Sequence, residues 1–152
     1  MRAVLDIHQV AGYASCPRCD ARGVIVRQHV PAWQAVWLAA LGASAVICGA
    51  FGAHALAHSL DARQMQVWHT SVDYHFWHAL AFALAVVAAP VGRARSVCLV
   101  AFAFGVLAFS GSLYALALGA PRWVGIITPF GGTAFIVGWI AFGVAMWPRR
   151  DR

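Results

Sequence analysis

Long apolar runs alternate with short polar gaps along this chain, and the length of the runs decides how it is read. Four stretches, at about residues 32–57, 74–91, 96–119 and 124–147, are nearly free of charge. A helix needs about 20 apolar residues to cross roughly 30 Å of hydrocarbon, so each stretch predicts a membrane span. The second is the shortest and ends at Pro90-Val91-Gly92. The first is too long for the apolar core of a cleaved leader, roughly 7–15 residues, and no small-residue cleavage site follows it at the right distance. It reads as a retained helix. The polar gap 59–73 has room for a short interfacial helix with Leu60, Val67 and Trp68 turned toward the membrane. Trp33, Trp37, Trp68, Trp123 and Trp147 fall near predicted span ends, where aromatic belts sit.

Small residues recur along each run at alternating spacings of three and four. They are Gly42, Ala45, Gly49 and Gly52 in the first, and Ala81, Ala85, Ala88 and Gly92 in the second, extended upward by Tyr74 and His78. The third has Gly105, Ala108, Ser112, Ala115 and Gly119, and the fourth Gly131, Ala134, Gly138, Ala141 and Ala145. Lipid tails give helices no hydrophobic reason to associate, so small residues that admit close backbone approach mark the interfaces. A repeat of about 3.5 residues suits a left-handed bundle. The expected fold is therefore an all-α membrane protein, a bundle of four transmembrane helices over residues 32–147. A tail of residues 1–31 precedes it, and a basic tail of residues 148–152 follows.

Composition supports a lipid solvent. Hydrophobic residues make up 62% of the chain and charged ones 11%, with a mean hydropathy of +0.72; a soluble domain is nearer ~25% charged. Every cation among the charged residues is arginine and every acid is aspartate. The arginines are scattered between the runs and not interleaved with aromatics on one face, which argues against nucleic-acid binding. Arg2, Arg18, Arg22, Arg27, Arg93, Arg95, Arg149, Arg150 and Arg152 fall on one side of the predicted topology, Arg63 and Arg122 on the other. The positive-inside rule then expects both termini in the cytoplasm. In the tail, Cys16 and Cys19 form one C-x-x-C, while Cys48 and Cys98 lie inside spans. One pair is half of a zinc site, so the tail reads as unstructured, with a site shared between protomers or a redox pair as alternatives. Val24, Val26 and Val30 are also alternative start positions.

That topology gathers the polar side chains toward one leaflet. His54 and His58 end the first span, His75 and His78 open the second, Ser110, Ser112 and Tyr114 lie in the outer half of the third, and Thr128 and Pro129 open the fourth. A polar group in lipid costs several kcal/mol unless it is bonded, so these residues are expected to face one another. Tyr74 and His78, one turn apart, are both expected to point inward. Thr128 reads as an N-cap with Pro129 at the first helical position, leaving free N–H groups for an imidazole or an anion. His54 fits less well: at ~100° per residue it lies roughly 160° from its own helix's small-residue stripe.

Four motifs in order, GAFGAHAL from Gly49, Y-x-x-x-HALA from Tyr74, FSGSLYALAL from Phe109 and TPFGG-x-x-F-x-x-GW from Thr128, resemble the domain-of-unknown-function 423 family of small membrane proteins. The resemblance runs from about Val36 to Trp147. It implies a short multi-span protein of the bacterial inner membrane, with no established activity, cofactor or catalytic residues to carry over. The positions it marks are Gly49, Gly52, His54, Tyr74, His78, Ser110, Gly111, Ser112, Tyr114, Thr128, Pro129, Gly131, Gly132, Gly138 and Trp139. His58 and His69 fall outside the motifs, and His75 stands where the family pattern usually has glutamine. The residues leave several readings open. One is a hydrogen-bond network fixing helix register. Another is a site for a small ligand, ion, proton or lipid headgroup. A third is haem or metal ligation by His54 or His58 with His75 or His78. No serine–histidine–acid set is placed, so the sequence leans away from an enzyme. The lipid bilayer is the expected partner, with self-association or other membrane proteins left open.

Overall fold

The computed structural model describes residues 30–147. Helix α1 (Ala32–His54) starts directly after Pro31, whose φ is preset for a helix entry. Helix α2 (Ala62–Ala88) is closed at its start by a reciprocal cap. The Asp61 carboxylate accepts from the Gln64 backbone N–H at 2.8 Å, and the Asp61 N–H donates to Gln64 Oε1 at 2.9 Å. It runs unbroken until Ala89 and Pro90 end it. Helix α3 (Arg93–Gly105) passes through a π-helical turn at Val106–Ser110 into α4 (Gly111–Ala117), and together they make one 25-residue rod. A 3₁₀ turn at Arg122–Ile126 leads into α5 (Ile127–Met146). All four passes are helices long and apolar enough to cross a membrane.

The cap corrects the predicted second span. It begins at residue 62, not 74, and the gap 59–73 holds no separate interfacial helix: most of it is the first half of α2. Trp68 is correspondingly not turned to lipid. It is buried, and its indole N–H donates to the Cys48 carbonyl at 3.1 Å. The fourth span is also entered earlier than expected. Because the 3₁₀ turn feeds straight into α5, Thr128 is not an N-cap and Pro129 is the third residue of the helix. The helix start therefore lies before Thr128 and not at it.

Consecutive passes alternate in direction. The α3 and α4 rod packs against α5 and α2, and α1 leans mainly on α2. The interfaces are built from glycine holes and aromatic knobs. Trp68 fills the space beside Gly52, Phe135 that beside Gly105, Phe102 that beside Gly138, and the Phe109 backbone rests on Gly131. A Cβ on Gly138 would stand 2.6 Å from the Phe102 ring. Gly111 and Gly42 meet nothing within 4 Å, and Gly49 and Gly132 make only ordinary contacts. The buried residues of α2 are Trp68, Ser71, His75, His78, Ala79, Ala81, Phe82, Ala85 and Val86, and buried Ala89 follows its end. This seam overlaps the predicted stripe in part: His78, Ala81 and Ala85 belong to both, while Tyr74 is 43% exposed.

Candidate functional site

The early start of α2 moves its histidines. His75 is the fourteenth residue of a 27-residue helix, so it sits near mid-span and not in an opening turn. The α2 seam carries Ser71, His75 and His78 at spacings of four and three, which puts all three on one face, against α1, α4 and α5. The polar side chains do not form one cluster. They form separate nodes, each joining particular helices.

At the first node, the Ser44 hydroxyl on α1 donates to the Ala40 carbonyl at 2.6 Å. With its single proton used there, its oxygen accepts from His75 Nε2, 3.3 Å away. Nε2 therefore carries the ring proton. Nδ1, the lone-pair nitrogen, accepts the Tyr114 O–H at 3.3 Å. One imidazole thus links α1, α2 and α4. Beside it, the buried Ser71 hydroxyl donates to the Ser110 carbonyl at 2.7 Å, at the end of the π turn. The Ser110 hydroxyl is buried and has no partner among the described residues.

At the second node the tautomer is reversed. His78 Nδ1 lies 2.7 Å from the Tyr74 carbonyl, which can only accept, so Nδ1 bears the proton. Nε2 then accepts the indole N–H of Trp139 on α5 at 3.3 Å. The ring is stacked on Phe135, with centroids 3.4 Å apart and planes within 12°. The third node joins the rod to α5. Ser112 donates to the Phe109 carbonyl at 2.9 Å, so Thr128 donates to Ser112 across 2.7 Å.

Other sequence candidates lie elsewhere. His54 is the last residue of α1 and exposed, His58 is exposed in the loop that follows, and neither joins a node. Cys16 and Cys19 lie outside the described residues. Among those residues no three His, Cys, Asp or Glu side chains gather as a metal site. His75, which the sequence places among the converging polar residues and as one candidate ligand for haem or a metal, proves central. Ser44, Ser71 and Trp68 were not singled out as polar partners at all. The i, i+4, i+7 run of Ser71, His75 and His78 was the signal available for the α2 face. A cleft of about 420 Å³ opens beside His78 between Tyr74, Trp77, Leu84 and Trp139, but both nitrogens of the imidazole are already engaged.

Residues 48–132, more than half of the chain, match the family described as "Protein of unknown function (DUF423)". The chain belongs to that family. Its DUF423 relatives carry the name UPF0382 membrane protein. YwdK of Bacillus subtilis is 45% identical over 105 residues, 66% of this chain and 85% of that protein. A Staphylococcus saprophyticus relative is 43% identical over 98 residues, 63% and 81% of the two chains. YgdD of Escherichia coli, named an inner membrane protein, is 37% identical over 100 residues, 62% and 73%. No solved structure matches. The chain is a member of a membrane protein family without an assigned activity, and its four apolar helices agree with that.

Proposed function

We propose that this DUF423 protein is an inner-membrane helical bundle with both termini in the cytoplasm, whose His/Tyr/Ser/Thr nodes act as structural fasteners and not as a ligand or proton site. The observation that carries the reading is that both nitrogens of His75 and of His78 are bonded to protein groups, each in a neutral tautomer. A group already bonded on both sides has no lone pair left for a metal, haem or ligand. The arginine asymmetry supports the orientation, with Arg93 and Arg95 in the turn between the second and third passes on the cytoplasmic side. The tails 1–31 and 148–152 belong to that side as well, and the bilayer is the partner that the exposed apolar faces require.

Thermal unfolding of the full chain in neutral detergent tests this. Glutamine, like the neutral imidazole, both donates and accepts, so His75→Gln retains most of the stability and His75→Leu loses part of it. A fastener reading requires that order in the absence of any added ligand. Equal stability of wild type and His75→Leu, with a cellular phenotype lost in the variant, would falsify it in favour of a ligand or proton site. A Soret band in the purified protein would do the same in favour of haem.

A further inference from the structure

The end of the bundle opposite the Asp61 cap holds a charge that no described acid balances. Arg95, in the first turn of α3, is only 4% exposed. One of its terminal nitrogens donates to Gln34 Oε1 on α1 at 2.7 Å and the other to the Ala89 carbonyl at 3.4 Å, both neutral acceptors, while Nε has no partner among the described residues. The described acids are Asp61 and Asp73. Asp73 stands 15 residues before the end of α2, about 22 Å up the helix from Ala88 at ~1.5 Å per residue. The C-terminal dipole of α2 at Ala89 offsets part of the charge, but the N-terminal dipole of α3 adds to it. Buried guanidinium groups are ordinarily paired with an anion.

A cleft of about 600 Å³ lies against this arginine, bounded by Gly92, Arg95, Ile140, Gly143, Val144 and Trp147. Gly92 caps α3 without a side chain, so the first backbone N–H groups of the helix have no side-chain partner at the mouth of the cleft. The α5 wall is apolar, and Trp147 stands exposed at the rim. We propose that this cleft binds a phosphate group, held by Arg95 and the amino end of α3, with an anionic phospholipid as the source that the apolar α5 wall favours. The arginine supplies the charge, the helix end supplies donors, and Ile140 and Val144 lie where an acyl chain would run.

The test is thermal unfolding of the full chain in neutral detergent with added phosphatidylglycerol, phosphatidylcholine, or potassium phosphate against chloride at matched ionic strength. Saturating phosphatidylglycerol is expected to raise Tm by about 5 °C. Gly143 lines the cleft and a Cβ there meets nothing within 4 Å, so Gly143→Leu is chosen to fill the cleft from its α5 side. That variant keeps the lipid-free Tm and loses the shift, and Arg95→Gln, if it folds, loses the shift too. A shift with inorganic phosphate alone supports the site and makes its source soluble. Absence of any shift overturns the proposal, as does a shift that survives Gly143→Leu. An equal shift with phosphatidylcholine overturns it as well, because a net-neutral headgroup does not supply the missing charge. So does an Asp151→Asn chain that loses its lipid-free stability and its lipid response together, which would make the tail carboxylate the counter-charge.

Discussion

Among the described glycines, Gly131 is the one where an added Cβ would meet a neighbouring helix's backbone nearest, and replacing it with alanine is the sharpest test of the packing. A Cβ built there collides with the Phe109 backbone N and stands 2.7 Å from Phe109 Cα and Cβ. Carbon atoms rest about 3.5–4.0 Å apart, so α5 and the rod must separate by about 1 Å. Overpacking of this kind costs roughly 1–3 kcal/mol, and backbone cannot swing aside as a side chain can. The same movement stretches the 2.7 Å Thr128–Ser112 bond, one turn away, to about 3.7 Å, beyond hydrogen-bond range. Losing it adds about 0.6 kcal/mol. The total is about 2–4 kcal/mol. Gly132→Ala is the control: its Cβ would touch only the Phe109 ring at 3.8 Å, and alanine favours a helix by up to about 1 kcal/mol over glycine. Equilibrium unfolding in mixed micelles, titrated with denaturing detergent and followed by circular dichroism, compares the two. If Gly131→Ala unfolds at the same midpoint as Gly132→Ala, the close crossing assigned to this pair of helices is wrong.

The other predictions concern caps, knobs and spectators. Asp61→Ala removes one half of the reciprocal cap and is expected to cost about 1 kcal/mol, with fraying of the first turn of α2 seen in amide exchange. Gly52→Ala puts a Cβ into the Trp68 indole ring; it should both destabilise the chain and change the tryptophan fluorescence, because the indole loses its bond to the Cys48 carbonyl. Gly52→Ala with unchanged emission and midpoint would contradict the assigned seat of Trp68. His54→Gln and His58→Gln, both at exposed positions, are expected to stay within about 0.5 kcal/mol of wild type in the same titration.

Several features of the fold were legible because they follow from one helix and its solvent. The four spans were readable from run length alone, and three of the four small-residue stripes led to real contacts at Gly52, Gly105, Gly131 and Gly138. The start of α2 is also written in the chain, as Asp61 and Gln64 three residues apart, but the polarity of the gap 59–73 points to a separate interfacial helix and not to the start of a span. A capped helix tolerates polar residues in its first turns, so polarity was the weaker signal. The stripe on α2 is right only in part, at His78, Ala81 and Ala85, for a different reason. A rule that looks for small residues misses the large ones, Trp68 and Phe82, that fill holes on partner helices.

Local composition, period and capping chemistry belong to the sequence, since each depends on neighbours within a turn or on the length of hydrocarbon to be crossed. They determined an all-helical chain with four apolar passes and glycine-marked faces. Which aromatic enters which glycine hole depends on the rotation and offset of two helices at once, and so only the tertiary structure decided it. The same holds for the polar residues. Histidines spaced three and four apart share a face in any helix, and the Tyr74 carbonyl that sets the His78 tautomer lies one turn away on α2 itself. The Ser44 and Tyr114 partners that set the opposite tautomer of His75, the Trp139 N–H on His78, and the absence of a described acid beside Arg95 exist only after the helices have packed.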